Sequence, residues 1–178
     1  MHPKKWLMIL INVVGGAAVL GSYAYGLLTH PGAGEVLWGG VPNSIRPFYT
    51  AGMVLATIGY FAFTEFILLR LDARDTRVGH RFGFGAFSGL YAAILFPSAL
   101  WMPLTLLATA QPSTVLLWAV RVVLAVVGLA SLALLLALLT TEPRQPLWAY
   151  WVAVVGCVGF CIQTVMLDAI IWVAWFRL

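Results

Sequence analysis

The sequence predicts an all-α integral membrane protein: a bundle of five transmembrane helices, N-terminus cytoplasmic and C-terminus outside. Three observations carry that reading. The first is composition, with 62% of the 178 residues hydrophobic and only 9% charged, against about 25% charged in a soluble domain. The second is length. Five apolar stretches each reach the roughly 20 residues a helix needs to cross ~30 Å of hydrocarbon, and backbone groups in lipid need partners within their own segment, which excludes lone strands. The third is the placement of basic residues. Lys4, Lys5, Arg70, Arg74, Arg77, Arg81 and Arg144 fall on one side of this layout, and only Arg46 and Arg177 on the other. An excess of that kind marks the cytoplasmic side. A single multi-pass domain over residues 1–178, in a plasma or inner membrane, follows from the three together. Membrane lipid is its first partner. The net charge of +4 is spread over segment ends, so nucleic acid is not expected as a partner.

The first segment covers about residues 6–28. Ser22-Tyr23-Ala24 resembles a signal-peptide cleavage site, but an apolar run of about 20 residues exceeds the ~7–15 of a signal-peptide core, so retention as a helix is expected. Gly15, Ala18, Ser22 and Gly26 form a small-residue stripe at helical spacing, a surface that admits another helix closely. The connector over 29–48 cannot be one helix. Gly39-Gly40 free the backbone, while Pro42 and Pro47 each remove a donor and bias the preceding residue away from the helical region. Because Trp38–Tyr49 also carries Ile45, Arg46 and Phe48, it reads as a folded cap over one end of the bundle.

The second segment, about 48–69, has a small face in Gly52, Ala56 and Gly59 and a polar stripe in Thr57, Tyr60 and Thr64. Glu65 near its end is expected either to snorkel to water or to pair with Arg70, and Asn12 of the first segment lies at a depth that suits a hydrogen bond to it. Arg70–Arg81 reads as a solvated, charge-balanced turn at the headgroups. The third segment, about 82–107, opens with Gly85 and Gly89, a GxxxG pair extended by Ala93, which signals close helix packing. Pro97, with Pro103 beyond it, is expected to kink it. The fourth, about 115–139, is interrupted only by Arg121 and Ser131. The fifth, about 147–176, contains Gln163 and Asp168 and ends in Trp172 and Trp175, which read as interface anchors. Cys157 and Cys161 lie one turn apart on that helix, a geometry poor for a disulfide, so free buried thiols are expected.

Catalytic patterns are missing. There is no HExxH, no His cluster, no nucleotide-binding glycine loop and no paired carboxylate at a shared depth, so neither a metal nor a cofactor is expected. What the sequence offers instead is charge inside the membrane, which is costly and marks a candidate site. Arg121 and Asp168 each sit seven residues from a segment end, roughly 10 Å below the outer interface, on helices joined by a short turn. They are expected to form an interhelical ion pair that either fixes register or lines a polar pocket. Trp38, Arg46, Ser98, Trp101, Arg121 and Asp168 together outline a ligand-binding site in the outer half, with the connector as its lid. Arg46 either anchors the interface or meets a ligand carboxylate. The function expected is non-enzymatic binding or transport of a lipophilic small molecule. The alternative is an accessory subunit that meets a second copy or a membrane complex through its Gly and Ala faces.

Leu90-Tyr91-Ala92-Ala93 through Leu100-Trp101-Met102-Pro103 resembles the third-helix pattern of the TspO/MBR family of tryptophan-rich sensory proteins, an aromatic-Tyr-Ala-Ala run followed by Asn-x-x-Trp-x-Pro. Five helices in a short chain, many tryptophans and a long first connector are similar to that family as well. The match covers about 14 residues. Ser98 stands where the family has Asn, and the family's Trp-x-Pro-Pro at the start of the second segment is absent. The resemblance implies that Trp101 is a pocket tryptophan and that porphyrins, sterols or related ligands bind beneath the first connector.

Overall fold

A computed structural model describes residues 2–176; Arg177, counted above with the outer basic residues, lies outside them. Five helices are long and apolar enough to cross a membrane: α1 (Pro3–Thr29), α3 (Arg46–Arg70), α4 (Gly85–Ala110), α5 (Thr114–Leu139) and α6 (Leu147–Trp175). A short α2 (Ala33–Trp38) lies in the first connector. At ~1.5 Å per residue, a 26-residue helix such as α5 runs about 39 Å, enough for the hydrocarbon core and part of the headgroups. The outward faces are apolar, as at Leu20, Leu129 and Val155, each about seven-tenths exposed. A multi-pass membrane chain is the architecture that uses such faces.

Neighbours in space run α1–α4–α5–α6–α3, and glycine decides how closely they meet. A Cβ on Gly59 of α3 would collide with the carbonyl of Gly156 on α6, so the two backbones touch there. Gly52 makes room for Gln163 and Leu167, and Gly15 and Gly26 of α1 seat Leu95 and Met102 of α4. The small stripes of the first two segments are thus consumed inside the bundle. The third is not. Gly85 and Gly89 face open space, contrary to the close packing expected of them, because α1 meets α4 along the face of Leu95 and Met102 instead.

The inner core divides into two layers. Around Phe63, Phe66, Tyr91, Tyr150 and Cys157 lies the core of one half, and around Tyr49, Val120, Leu167, Trp172 and Phe176 that of the other. The first half ends in a folded basic surface rather than the solvated turn expected of Arg70–Arg81. Strands β1 (Arg77–Val78), β2 (Phe82–Gly83) and β3 (Thr141–Glu142) form a small antiparallel sheet ordered β2-β1-β3. Leu71, Ala73, Thr76 and Val78 are buried beneath it; these spaced small and apolar residues fold the segment inward while its arginines stay outside. Arg144 donates to the carbonyls of Leu139 and Thr141 at 2.8 and 3.2 Å, closing the C-terminal end of α5 as basic side chains do at helix ends.

Two helices change their winding. The last turn of α3, Phe66–Arg70, and the stretch Ile162–Trp172 of α6 are π-helical. Residues five apart then stack on one face, where an α-helix stacks residues three and four apart. Glu65 accepts from Arg70 at 2.8 Å, as expected, and Gln163 donates to Asp168 at 2.8 Å; both are pairs five apart. Asn12 does not reach Glu65. Its oxygen accepts from the Tyr60 hydroxyl, and its amide donates to the Met8 carbonyl at 2.8 Å, because Glu65 turns toward Arg70.

Candidate functional site

The connector folds onto the bundle end opposite the basic sheet. Gly39 takes φ +54, a left-handed conformation that favours glycine, and the Gly39-Gly40 turn lies against Phe176 and the Trp175 carbonyl. The Trp172 indole donates to the Leu37 carbonyl at 2.8 Å, tying α6 to α2. Val41 and Ala33 are buried. Trp38 packs edge-on against Tyr49 at 5.8 Å, and the Arg46 guanidinium lies 5.2 Å from the Trp38 ring while pairing with Glu35 at 2.8 Å. Trp38 and Arg46 therefore belong to one structure, the lid, and the charge of Arg46 is balanced there.

Under this lid an aromatic chain crosses three helices. Tyr23 of α1 packs against Trp101 of α4 with ring centres 5.7 Å apart, and Trp101 meets Trp172 of α6 edge-on at 5.5 Å. Trp172 stacks on Phe176 at 4.2 Å and 14°. It is 3% exposed, so it belongs to the core and is not the interface anchor expected; Trp175, about half exposed, is placed as one. The Trp101 indole N–H is buried with no acceptor, and such a group costs free energy unless something accepts from it. Tyr23 is 38% exposed and Asp168 is half-buried, four residues before Trp172 on α6. Asp168 follows directly on Leu167, whose carbonyl receives the Tyr49 hydroxyl.

Arg121 and Asp168 do not pair. Among the described residues the ion pairs are Arg46–Glu35 and Arg70–Glu65. Arg121 turns back along α5, with its guanidinium 5.1 Å from the Trp118 ring, and its Nε is buried without a partner. Trp118 itself is well exposed. The physical reason lies in α6. In a π-helix each residue turns less about the axis than in an α-helix, so a side chain placed by α-helical spacing from Leu147 is aimed wrongly by Asp168. Position along the helix was readable from the sequence; direction was not.

Ser98 also departs from its expected role. Its hydroxyl donates to the Ile94 carbonyl at 2.7 Å, the backbone turn beside Pro97, and α4 continues through both prolines. Of the six expected site residues, Trp38 and Arg46 thus pack together in the connector, Trp101 joins Tyr23 to Trp172, Asp168 accepts from Gln163, Ser98 bonds within its own helix, and Arg121 lies over Trp118. Sequence reasoning missed Tyr23, Tyr49 and Trp172. Tyr23 was detectable, since it lies three residues before Gly26 and eight after Gly15, on the packing face of α1. Tyr49 donates its hydroxyl to the Leu167 carbonyl at 2.7 Å, a contact across 118 residues that no local pattern announces.

Among the described residues no cluster of three or more His, Cys, Asp or Glu is placed to hold a metal. Cys161 donates weakly to the Ser131 carbonyl at 3.3 Å and Cys157 is buried in the core. No protein-family model, no curated protein and no solved structure matches the chain.

Proposed function

We propose that this protein is a non-enzymatic membrane protein that binds or carries a lipophilic small molecule in the crevice between α1, α4 and α6, beneath the connector lid. The observation that carries the reading is the set Tyr23, Trp101, Trp172 and Asp168. Three aromatic side chains from three helices meet in a chain there, with the Asp168 carboxylate four residues before Trp172 on α6 and an unpartnered indole N–H on Trp101. A concave, mostly aromatic wall with a few convergent polar groups is what a small-molecule site requires. In this reading the basic sheet is cytoplasmic and the lid faces outside, in keeping with the distribution of Lys and Arg. The TspO/MBR-like pattern around Trp101 supports the same role for that residue, with porphyrins or sterols as the probes to try.

The test is intrinsic tryptophan fluorescence of the purified chain in lipid nanodiscs, titrated with a porphyrin and with a fluorescence-quenching sterol. Saturable quenching that is lost in Trp101→Ala, with monodispersity unchanged, supports the reading. Quenching that is absent, or indifferent to Trp101, overturns it. A second reading, an accessory subunit, is favoured by the open Gly85–Gly89 face of α4 and by the exposed length of α1. It predicts stable co-purification with other membrane subunits and no ligand response.

A further inference from the structure

We infer that the crevice selects a lipophile bearing a cationic nitrogen, which Asp168 and the aromatic rings of Tyr23, Trp101 and Trp172 jointly receive. The inference rests on the binding reading above and narrows it to a ligand class.

Asp168 is a carboxylate at membrane depth without a protein cation. Among the described residues no Lys, Arg or His nitrogen lies within 4.0 Å of it. The two arginines of this half among the described residues are engaged elsewhere, Arg121 over Trp118 and Arg46 between Glu35 and Trp38. Only Gln163 donates to it, at Oδ1, and Oδ2 makes no hydrogen bond with the described residues while remaining outside the fully buried, unsatisfied atoms. An intramembrane carboxylate normally pairs with a cation or lines a functional cavity. Here the carboxylate is half-buried on the helix that carries Trp172, and no cation among the described residues pairs with it.

The other donors near it are committed. The Tyr49 hydroxyl is used on the Leu167 carbonyl and the Trp172 indole on the Leu37 carbonyl, which leaves the Trp101 indole and the Tyr23 hydroxyl as free polar contacts. The site therefore has a negative sign with aromatic walls. Ring faces attract cations through their quadrupole, Trp most strongly, and more so when water is excluded. A carboxylate-bearing ligand meets repulsion from Asp168 in the same place. A cationic nitrogen on an apolar frame satisfies the charge, the rings and the membrane route of entry at once.

The experiment uses the full chain in nanodiscs and a set of probes on one frame. These are 3-phenylpropyl-trimethylammonium, the hydrocarbon in which carbon replaces its nitrogen, and the anion 5-phenylpentanoate. Tryptophan fluorescence gives an apparent Kd for each in wild type and in Asp168→Asn. The cation is expected to lose at least tenfold in Asp168→Asn while the hydrocarbon is unchanged, a ratio in which partitioning into lipid cancels. In the wild-type chain alone, which needs no variant to fold, the anion is expected to bind at least tenfold more weakly than the cation. Equal affinity of cation and anion, or equal loss of cation and hydrocarbon in Asp168→Asn, overturns the inference. Saturable, Trp101-dependent binding of the hydrocarbon without preference for the cation overturns the charge selectivity and leaves the binding crevice standing. No response to any probe overturns both.

Discussion

The two π-helical segments perform the same local act with opposite consequences. At the basic end of α3, the wider winding lets Glu65 and Arg70, five apart, meet at 2.8 Å. Both are more than a third exposed, and the charges cancel in contact with water. In the lid half of α6, the same spacing brings Gln163 to Asp168 at 2.8 Å. There the partner is neutral, so the charge is solvated by one amide and left otherwise available. The winding is shared; the difference is whether position five supplies a counter-charge. The π-turn of α3 closes its electrostatics, and that of α6 leaves them open.

The largest expected effect comes from disturbing what holds the second segment in place. Gly52 of α3 leaves the space that the Gln163 amide and Leu167 occupy, and a Cβ there would overlap the Gln163 oxygen. Gly52→Leu has no open volume to fill and must push α6 away or displace Gln163. Overpacking of this kind costs about 3 kcal/mol, measurable as lost thermal stability in detergent. No substitution at Glu65 or Arg70, on the exposed side of the α3 π-turn, should approach it. Next is Gln163→Leu, which removes the one donor to Asp168 while sparing the backbone. A hydrogen bond to a charged group contributes about 1.5 kcal/mol, and that loss should shrink when Asp168→Asn is already present, a coupling that a double-mutant cycle reads directly.

Asp168→Asn alone separates the two segments by sign. Had Arg121 been its partner, the substitution would strand a buried guanidinium and destabilise the fold. With no ionic partner among the described residues, it removes an uncompensated charge and keeps an acceptor for Gln163. It should stabilise the ligand-free chain by about 1 kcal/mol, as removal of poorly compensated buried charge does. A clear loss of thermal stability in the ligand-free variant would restore an ionic partner for Asp168 and reverse the comparison.

How much of this was written in the sequence depends on the physical signal involved. Helix number, extent and depth follow from hydrophobic length, and the five expected spans differ from those found by a few residues at each end. The cap was legible because Gly39, Gly40, Pro42 and Pro47 break a helix while Trp38 and Tyr49 demand burial. The small sheet was not, because strands of two residues carry no periodicity to detect. The site was half legible. Trp101 and Asp168 stand out by residue type and depth, but their partners depend on the phase of α6, and eleven π-helical residues shift that phase without any mark in an apolar sequence. The expected Arg121–Asp168 pair failed at that step. Gly85 and Gly89 failed for a different reason: a close-packing motif states that a helix can approach, not which one does.

The smallest effect belongs to the exposed segment, and its smallness is the informative part. Glu65→Gln removes the partner of Arg70, which retains water and its place 5.5 Å from the Trp148 ring. Exposed ion pairs contribute about 0.5 kcal/mol or less, and salt screens what remains, so thermal stability at 0.5 M salt should match wild type. Gln can still accept from Arg70, and the backbone bond from Leu71 N–H to the Phe66 carbonyl at 3.2 Å holds the π-turn without any side chain. If Glu65→Gln instead cost as much as Gln163→Leu, the α3 turn would depend on its charge, and cancellation by contact with water would no longer distinguish the two segments. A near-silent Glu65→Gln beside a stabilising Asp168→Asn and a destabilising Gln163→Leu would establish that only the lid half of α6 carries an unmet electrostatic demand, which is the property a ligand would satisfy.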